Sequence, residues 1–228
     1  IAGQLAFVVG SYHLLKHNNG KGVMIGRMDN MDPRVVTVIG AGVSGTQSIL
    51  KAIDNNALVK VVDSSQSKLD ELKSQYGSNN VEYILSTKDS IQSSINDSDL
   101  VIGSVYVVGK EAPKVITREM LSSMNPGTVM VDVSIDQGGC FETSKPTTHD
   151  NPTFLENEIV HYCVTNMPGA VPLTATEALN KVTLSYIEYI ANNGVSNALD
   201  SDEHLMNGLN IKDGIIVHPA VKEALSRL

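Results

Sequence analysis

Short runs of apolar, mostly β-branched residues alternate with helical patterns along residues 35–164 of this chain. The apolar runs span residues 35–39, 58–62, 81–85, 100–105, 129–134 and 159–164. Helical spacing of apolar residues fills the intervals at 44–54, 67–76, 91–95 and 118–124. Strands that read as near-continuous apolar runs are covered on both faces, and this order of elements brings them into a parallel sheet. The sequence therefore predicts an α/β fold, a doubly wound parallel sheet over residues 1–165.

The two ends of the chain and one internal segment lack this alternation. Residues 1–34 predict an opening helix and a connection rich in Gly and Asn. Residues 136–152 are rich in Gly, Thr, His, Asp and Pro, which predicts an irregular loop where such a sheet keeps functional groups. Residues 166–228 predict a C-terminal helical segment outside the sheet domain. Its long helix spans 174–191 with a capping box of Thr174 and Glu177, and short helices follow around a turn at Asp213-Gly214.

The composition excludes several classes of partner. Asp and Glu outnumber Lys and Arg by 25 to 17, the formal charge is −8, and there is no long basic run. This argues against binding to nucleic acid or to anionic lipid and favours a small-molecule partner. No apolar run approaches the ~20 residues of a membrane-spanning helix. Cys140 and Cys163 lack CxxC spacing, so we expect no disulfide framework, no bound metal and a cytoplasmic location.

A glycine pattern sits where the first apolar run meets the first helical pattern. Gly40, Gly42 and Gly45 fit G-x-G-x-x-G directly after the run VVTVI. The first glycine allows a tight turn, the second lets the backbone approach a pyrophosphate, and the third allows close packing of helix on strand. The pyrophosphate would lie at the helix N-terminus, where unpaired N–H groups favour an anion. The context predicts a dinucleotide-binding (Rossmann) unit, although a plain tight turn fits the glycines alone.

Asp63 ends the second predicted strand, where a carboxylate accepts hydrogen bonds from a ribose 2′-hydroxyl and repels a 2′-phosphate. We therefore predict NAD rather than NADP, with Lys68 as the nearby cation that would soften this preference. A flavin or a nucleotide-sugar uses the same fingerprint, and periodicity does not separate these ligands.

Two long segments, VDVSIDQGGCFETSKPTTHDNPTF and HYCVTNMPGAVPLTATEAL, resemble alanine dehydrogenases. The resemblance runs nearly end to end along the second half of those proteins, and related transhydrogenase domains share parts of it. It implies NAD-dependent oxidation of L-alanine to pyruvate and ammonia, with the reverse amination. It also implies homo-oligomers and assigns residues 166–228 to the substrate domain.

The resemblance also implies positions for the cofactor. Val43 and Ser44 would contact the pyrophosphate, Asp63 and Lys68 the adenosine ribose, and Ser86 the adenine. Residues expected to close over the cofactor or line its nicotinamide half are Val105, Tyr106, Val133, Ser134, Ile135, Asp136, Lys145, Val164, Thr165, Asn166 and Met167. Asp136 is the predicted catalytic residue, because the family places a catalytic aspartate there; it would activate water or bind the nicotinamide ribose.

Three other candidates are assigned no role in catalysis. His149 and His161 do not match the family's catalytic histidine, and a lone histidine is more often structural. Cys140 is more often a small packed hydrophobe than a reactive thiol. Asp136 itself has an alternative, a loop carboxylate that accepts backbone N–H groups.

The family's substrate-binding Arg and Lys and its catalytic histidine belong to an N-terminal domain that is expected to precede Ile1. We expect helices in 174–228 to expose an apolar face as a result. The sequence leaves three functions open: a fragment or split half of an alanine dehydrogenase, completed by a separate N-terminal chain; an NAD-binding module without turnover; and a transhydrogenase-like NAD(H)-binding domain.

Overall fold

The computed structural model describes residues 1–107 and 111–226. A seven-stranded sheet has the order β3-β2-β1-β4-β5-β7-β6. Its strands are β1 (Val35–Ile39), β2 (Leu58–Asp63), β3 (Val81–Leu85), β4 (Leu100–Gly103), β5 (Val129–Asp132), β6 (Thr153–Glu156) and β7 (Ile159–Tyr162). Each neighbouring pair is parallel except β6 and β7. The predicted α/β class and its doubly wound parallel sheet are confirmed.

Helices cover both faces of this sheet, as the near-continuous apolar strands require. They are α1 (Ala2–His13), α2 (Val43–Asp54), α3 (Gln66–Tyr76) and α4 (Lys88–Asn96). Apolar residues of α1, α2 and α3 form one core cluster with one face of the strands. Residues of α4 and of segment 112–124 form a second cluster on the opposite face. Val38 and Ile39, consecutive in β1, belong to different clusters, because successive strand residues point to opposite faces.

Two local predictions within residues 1–165 need correction. The apolar pattern predicts no strand at residues 153–156, yet this segment is the antiparallel edge strand β6. Asn157 and Glu158 both have positive φ, 50° and 61°, which is the geometry of a tight hairpin turn into β7. The predicted helix 118–124 is only a 3-10 turn, Glu119–Ser123, in which the Ser122 hydroxyl donates to the Glu119 carbonyl. Such local side-chain bonds compete with an α-helix.

Residues 169–226 are the described part of a second compact unit. It contains α5 (Pro172–Asn193), α6 (Val195–Ser201), α7 (Glu203–Asn207), α8 (Pro219–Leu225) and a small hairpin of β8 (Ile211–Lys212) and β9 (Ile215–Ile216). The predicted turn at Asp213-Gly214 joins the two strands of this hairpin. The capping-box prediction is wrong, because α5 begins two residues earlier, at Pro172, and Val171 provides no side-chain cap.

Helix α5 exposes many large apolar side chains, as expected for the C-terminal segment. They are Leu173, Leu179, Val182, Leu184, Tyr186, Ile187 and Tyr189. No residue of α5 is buried. Within residues 1–107 and 111–226, no helix is both long and apolar enough to cross a membrane.

Candidate nucleotide-binding site

A cleft of about 830 Å³ lies at the carboxyl ends of the central parallel strands. It is lined by Ile39, Gly40, Gly42, Val43, Ser44, Val62, Asp63, Ser64, Ser86, Ser104, Val105, Tyr106, Pro113, Val115, Val133, Ser134, Asp136 and Gln137. Strands β1 and β4 are neighbours although β2 and β3 intervene in the chain, so strand order reverses between them. Ligands of open α/β sheets bind at this kind of switch point.

The glycine turn forms one wall of the cleft. Gly40 has φ +91°, and a Cβ there would lie 2.6 Å from the Ser104 carbonyl oxygen. A Cβ on Gly45 would lie 1.8 Å from the Gly40 carbonyl oxygen, so this position holds α2 against the end of β1. At Gly42 a Cβ would meet nothing within 4 Å. Gly40 and Gly45 thus allow the tight turn and the close packing that their spacing predicts, and Gly42 leaves open space at the start of α2.

Helix α2 begins at the floor of the cleft without a side-chain cap. Its N-cap is Gly42, and Val43 and Ser44 form its first turn. Val43 is 90% exposed, so the helix end is open to solvent and to a ligand. The N-terminus of a helix carries unpaired N–H groups and a partial positive charge. The start of α2 therefore offers backbone N–H groups that could hold an anion in the cleft.

Asp63, the last residue of β2, lies beside the same turn. One carboxylate oxygen accepts a hydrogen bond from the Ala41 N–H at 2.7 Å, and the other accepts one from the Ser65 N–H at 2.8 Å. Each oxygen keeps a free lone pair, since a carboxylate offers about four acceptor sites. Asp63 therefore braces the glycine turn and can still accept hydrogen bonds from a ribose.

Two serines connect the walls of the cleft. The Ser104 hydroxyl donates to the Gly40 carbonyl at 2.6 Å, and the Ser134 hydroxyl donates to the Val105 carbonyl at 2.8 Å. Both serines lie inside the predicted strand runs 100–105 and 129–134, but the strands end before them, at Gly103 and Asp132. The hydroxyls therefore tie together the strand ends of β1, β4 and β5 at the point where the chain leaves the sheet.

Asp136 lies in the 3-10 turn Ile135–Gln137 and is exposed in the cleft. Its two oxygens accept from the Asn166 N–H at 3.2 and 3.3 Å. His149, on the other side of Asn166, contacts the Asn166 carbonyl through Nε2 at 3.3 Å. The carboxylate is thus oriented by one backbone donor and keeps most of its acceptor capacity.

Eleven of the predicted site residues line the cleft: Gly40, Gly42, Val43, Ser44, Asp63, Ser86, Val105, Tyr106, Val133, Ser134 and Asp136. Eight others are not in its lining: Gly45, Lys68, Ile135, Lys145, Val164, Thr165, Asn166 and Met167. Gly45 and Asn166 contact lining residues, whereas Ile135, Val164 and Met167 are buried in the protein.

Both predicted cations have acidic partners outside the cleft. Lys68 pairs with Glu71 at 3.0 Å on the exposed side of α3. Lys145 lies 3.6 Å from Glu156 and 5.4 Å from the centre of the Phe154 ring, beside β6. The described cleft lining therefore contains two carboxylates, Asp63 and Asp136, and no Lys, Arg or His.

His161 and Cys140 are both buried, and neither is among the residues that line the cleft. His161 is fully buried, with Nε2 at 2.8 Å from the Thr143 hydroxyl and Nδ1 at 3.1 Å from the Ile159 carbonyl. Burial lowers its pKa. The buried Cys140 thiol donates to Asp132 at 3.4 Å, and burial, followed by the Asp132 charge, raises its pKa well above the usual value.

Seven lining residues are absent from the sequence prediction: Ile39, Val62, Ser64, Ser104, Pro113, Val115 and Gln137. Ile39, Val62, Ser64 and Ser104 lie at or just after strand ends, so the rule that ligands bind there would have identified them. Pro113 and Val115 come from a segment with no motif, and only the folded chain brings them to the cleft.

These features agree with the needs of a dinucleotide. The open space at Gly42 leaves room for a phosphate to reach the backbone, and the uncapped start of α2 supplies N–H donors. Asp63 lies at the end of the neighbouring strand, where an adenosine ribose would extend. Fold and site together define the class of protein: a dinucleotide-binding domain of the Rossmann type.

The chain belongs to the family described as alanine dehydrogenase/PNT, C-terminal domain, which it matches over residues 6–219. It is 46% identical to an alanine dehydrogenase of Halomonas elongata over 98% of this chain and 60% of that protein. An alanine dehydrogenase of Mycolicibacterium smegmatis is 41% identical over 99% of this chain and 60% of its own length. The C-terminal domain of this family binds NAD, so the predicted cofactor is confirmed.

Solved structures agree with this assignment. An L-alanine dehydrogenase aligns with a TM-score of 0.91 and 40% identity, covering 99% of this chain and 62% of that one. A transhydrogenase from Sinorhizobium meliloti aligns with a TM-score of 0.77 at 23% identity and shows the shared fold alone. The chain spans about 60% of the length of the curated relatives cited above.

Proposed function

We propose that this chain supplies the NAD-binding half of an enzyme that oxidises L-alanine to pyruvate and ammonia and catalyses the reverse amination. The cleft with its glycine turn supports the cofactor part of this proposal. The 46% identity to an alanine dehydrogenase across almost the whole chain supports the reaction. When bound, NAD would accept the hydride from alanine, and the residues of this chain bind and orient NAD.

Different residues of the cleft bind different parts of NAD. The start of α2 holds the pyrophosphate on the N–H groups of its first turn, at Val43 and Ser44. Asp63 accepts from the ribose hydroxyls and disfavours a 2′-phosphate by charge. Ser86, Val105 and Tyr106 all line the cleft; we assign Ser86 to the adenine, and Val105 and Tyr106 to covering the cofactor. Tyr106 is 65% exposed and so has apolar surface available to cover a ligand.

Asp136 is the catalytic candidate of this half. It is exposed in the cleft, and its orientation is set by the Asn166 N–H, which leaves acceptor sites for a water or a ribose hydroxyl. A carboxylate with a free acceptor site can take a proton from an attacking water. We infer that Asp136 serves this step or binds the nicotinamide ribose.

A second candidate function is NAD binding without turnover by this chain alone. The lining of the described cleft has no cation, whereas the carboxylate of alanine calls for a Lys or Arg partner. We therefore propose that turnover needs further residues, either from a preceding segment or from a separate N-terminal chain. Association of several copies through the exposed face of α5 and a cytoplasmic location, favoured by two free cysteines, belong to the same proposal.

A fluorescence titration of the purified chain with NADH and with NADPH tests the cofactor part. We expect NADH to bind more tightly, and Asp63→Ser to narrow the NADH-to-NADPH preference by about ten-fold, a change of ~1.4 kcal/mol. Asp70→Ser is the matched control, because Asp70 is an exposed carboxylate on α3 outside the cleft. Since Asp63 also braces two N–H groups, thermal unfolding is recorded for each variant. An unchanged preference in a folded Asp63→Ser chain contradicts the proposed role.

Pyruvate- and ammonium-dependent oxidation of NADH separates the two functions. NADH binding without turnover supports the NAD-binding function for the isolated chain. Turnover that appears only when the preceding domain of an alanine dehydrogenase is added supports the split arrangement. Turnover by the chain alone contradicts our inference that further residues are required.

A further inference from the structure

The loop that carries Asp136 closes around a buried carboxylate. Asp132, the last residue of β5, is fully buried. It accepts from the Ser134 N–H at 2.9 Å, the Cys140 N–H at 2.8 Å and the Phe141 N–H at 3.4 Å, and from the Cys140 thiol and the Ser144 hydroxyl. A buried charge is costly unless donors surround it. Every donor here comes from residues 134–144, so the charge and the loop depend on each other.

The side chain of Lys114 donates hydrogen bonds to the same loop from its exposed side. Lys114 is exposed, and its Nζ donates to the Gly139 carbonyl at 2.7 Å and to the Gly138 carbonyl. Its neighbours continue the contact through their backbones: Ala112 N–H bonds to the Gln137 carbonyl and Val115 N–H to the Cys140 carbonyl. Segment 111–116 therefore lies along the loop and is tied to it.

Lys114 and Asp132 bind the two ends of one peptide group. The carbonyl of the Gly139–Cys140 peptide accepts from Lys114, and the N–H of the same peptide donates to Asp132. A cation at the oxygen and an anion at the hydrogen both favour one orientation of the peptide dipole, and hydrogen bonds in a chain polarise one another. Reversing this peptide would break both bonds at once.

We propose that Lys114 and Asp132 act as one clamp across the Gly139–Cys140 peptide that positions Asp136 in the cleft. Asp136 and Gln137 lie in the turn just before the clamped peptide and line the cleft, whereas neither Lys114 nor Asp132 does. Both are positioning residues, because they touch the loop and not the ligand site. The proposal rests on the proposed function only where it concerns bound NAD.

Hydrogen exchange tests the clamp without any ligand. In Lys114→Gln we expect the amides of residues 133–144 to exchange at least ~five-fold faster, with the rest of the sheet unchanged, because a charge-assisted hydrogen bond is lost. Lys114→Arg, which keeps the charge and the donors, should restore slow exchange. Lys73→Gln, an exposed lysine on α3, is the matched control. Unchanged exchange in Lys114→Gln, or exchange equally fast in Lys114→Arg, overturns the clamp.

The NADH dissociation constant shows whether the clamp acts through Asp136. We expect Lys114→Gln to raise it by about five-fold, equivalent to ~1 kcal/mol, and to have no effect in an Asp136→Ala background. An equal effect in both backgrounds would mean that the lysine charge attracts the dinucleotide directly, and would overturn the positioning role. If the unaltered chain binds no NADH, the proposed function fails, while the exchange measurement still decides the clamp.

Asp132→Asn gives a second line of test. The asparagine side chain would replace one carboxylate oxygen by an NH₂ group. Its N–H donors would then face the backbone N–H groups that now donate to Asp132. Asp99→Asn is its control, because Asp99 is also buried and accepts from Lys21 and the Val35 N–H, but it precedes β4 and so lies at the amino ends of the strands, whereas Asp132 ends β5. Both variants should unfold more easily. Only Asp132→Asn should accelerate amide hydrogen exchange of residues 133–144 under native conditions. Equal exchange rates of these amides in Asp132→Asn and Asp99→Asn would overturn the proposal.

Discussion

Gly42→Ala separates ligand binding from folding at the glycine turn. Gly42 has φ −68° and ψ −163°, which an alanine adopts, and a Cβ there meets no atom within 4 Å. The substitution lowers the conformational entropy of the unfolded chain, so we expect the free energy of unfolding to stay constant or to rise by about 0.4–1 kcal/mol. The methyl group would project into the space where a pyrophosphate approaches the backbone.

Gly42→Ala should therefore weaken NADH binding without lowering stability. We expect the NADH dissociation constant of Gly42→Ala to rise by about ten-fold or more, at least ~1.4 kcal/mol, in a fluorescence titration. Gly77→Ala is the reciprocal control: Gly77 ends α3 with φ +72° and does not line the cleft. An alanine forced into this positive-φ conformation with extended ψ (−166°), a region essentially restricted to glycine, costs about 1–3 kcal/mol of stability and should leave NADH binding unchanged.

Urea unfolding and NADH titration of the two variants then give opposite patterns. Gly42→Ala keeps its stability and loses affinity, whereas Gly77→Ala loses stability and keeps affinity. Wild-type affinity in a folded Gly42→Ala chain would refute the placement of the pyrophosphate at this turn. A large loss of stability in Gly42→Ala would refute the reading of the space beside it as open.

Three further outcomes follow from the same structure. Gly45→Ala should destabilise the chain by about 3 kcal/mol or more in urea, since its Cβ would lie 1.8 Å from a backbone oxygen; wild-type stability would contradict this close packing. Burial lowers the pKa of His161 below its unfolded value of about 6.5, so the unfolded chain binds more protons and the free energy of unfolding should fall as pH drops below that value. This pH dependence should weaken in His161→Asn, and an unchanged slope would refute the assignment. Burial raises the pKa of Cys163 to about 12 and that of Cys140 well above its usual range, so mass spectrometry should find neither alkylated by iodoacetamide at about pH 8 until the chain is denatured.

The sequence predicts the sheet well because its strands are buried on both faces. Val36, Val59 and Ile102 are fully buried in parallel strands and belong to the near-continuous apolar runs that identify such strands. The edge strand β6 is not predicted by this pattern, because its residues are partly exposed and its apolar run, Phe154-Leu155, is short. Its one local signal is Asn157, a residue that tolerates the left-handed turn conformation.

The same contrast holds within the site. The glycine turn and Asp63 are local features of one strand, one turn and one strand end, and the structure brings them together in the cleft. The position of Lys145 could not be predicted, because its partner, Glu156, belongs to the edge strand β6, which the sequence pattern does not predict. The contact of Lys114 with the loop depends on two segments more than 20 residues apart, and no spacing rule connects them.

The charges of the cleft support our proposal that this chain binds NAD but needs further residues for turnover. The glycine turn, Asp63, Ser104 and Asp136 all belong to one compact unit, residues 1–107 with 111–168. The uncapped start of α2 in that unit offers backbone N–H groups to an anion, so a pyrophosphate would need no cation there. Hydride transfer also requires the amino acid to be fixed over the nicotinamide, and the described cleft offers its carboxylate only two like charges. We therefore propose that the residues that confine alanine come from outside the described lining of this cleft, and that they also offset the negative charge of Asp136.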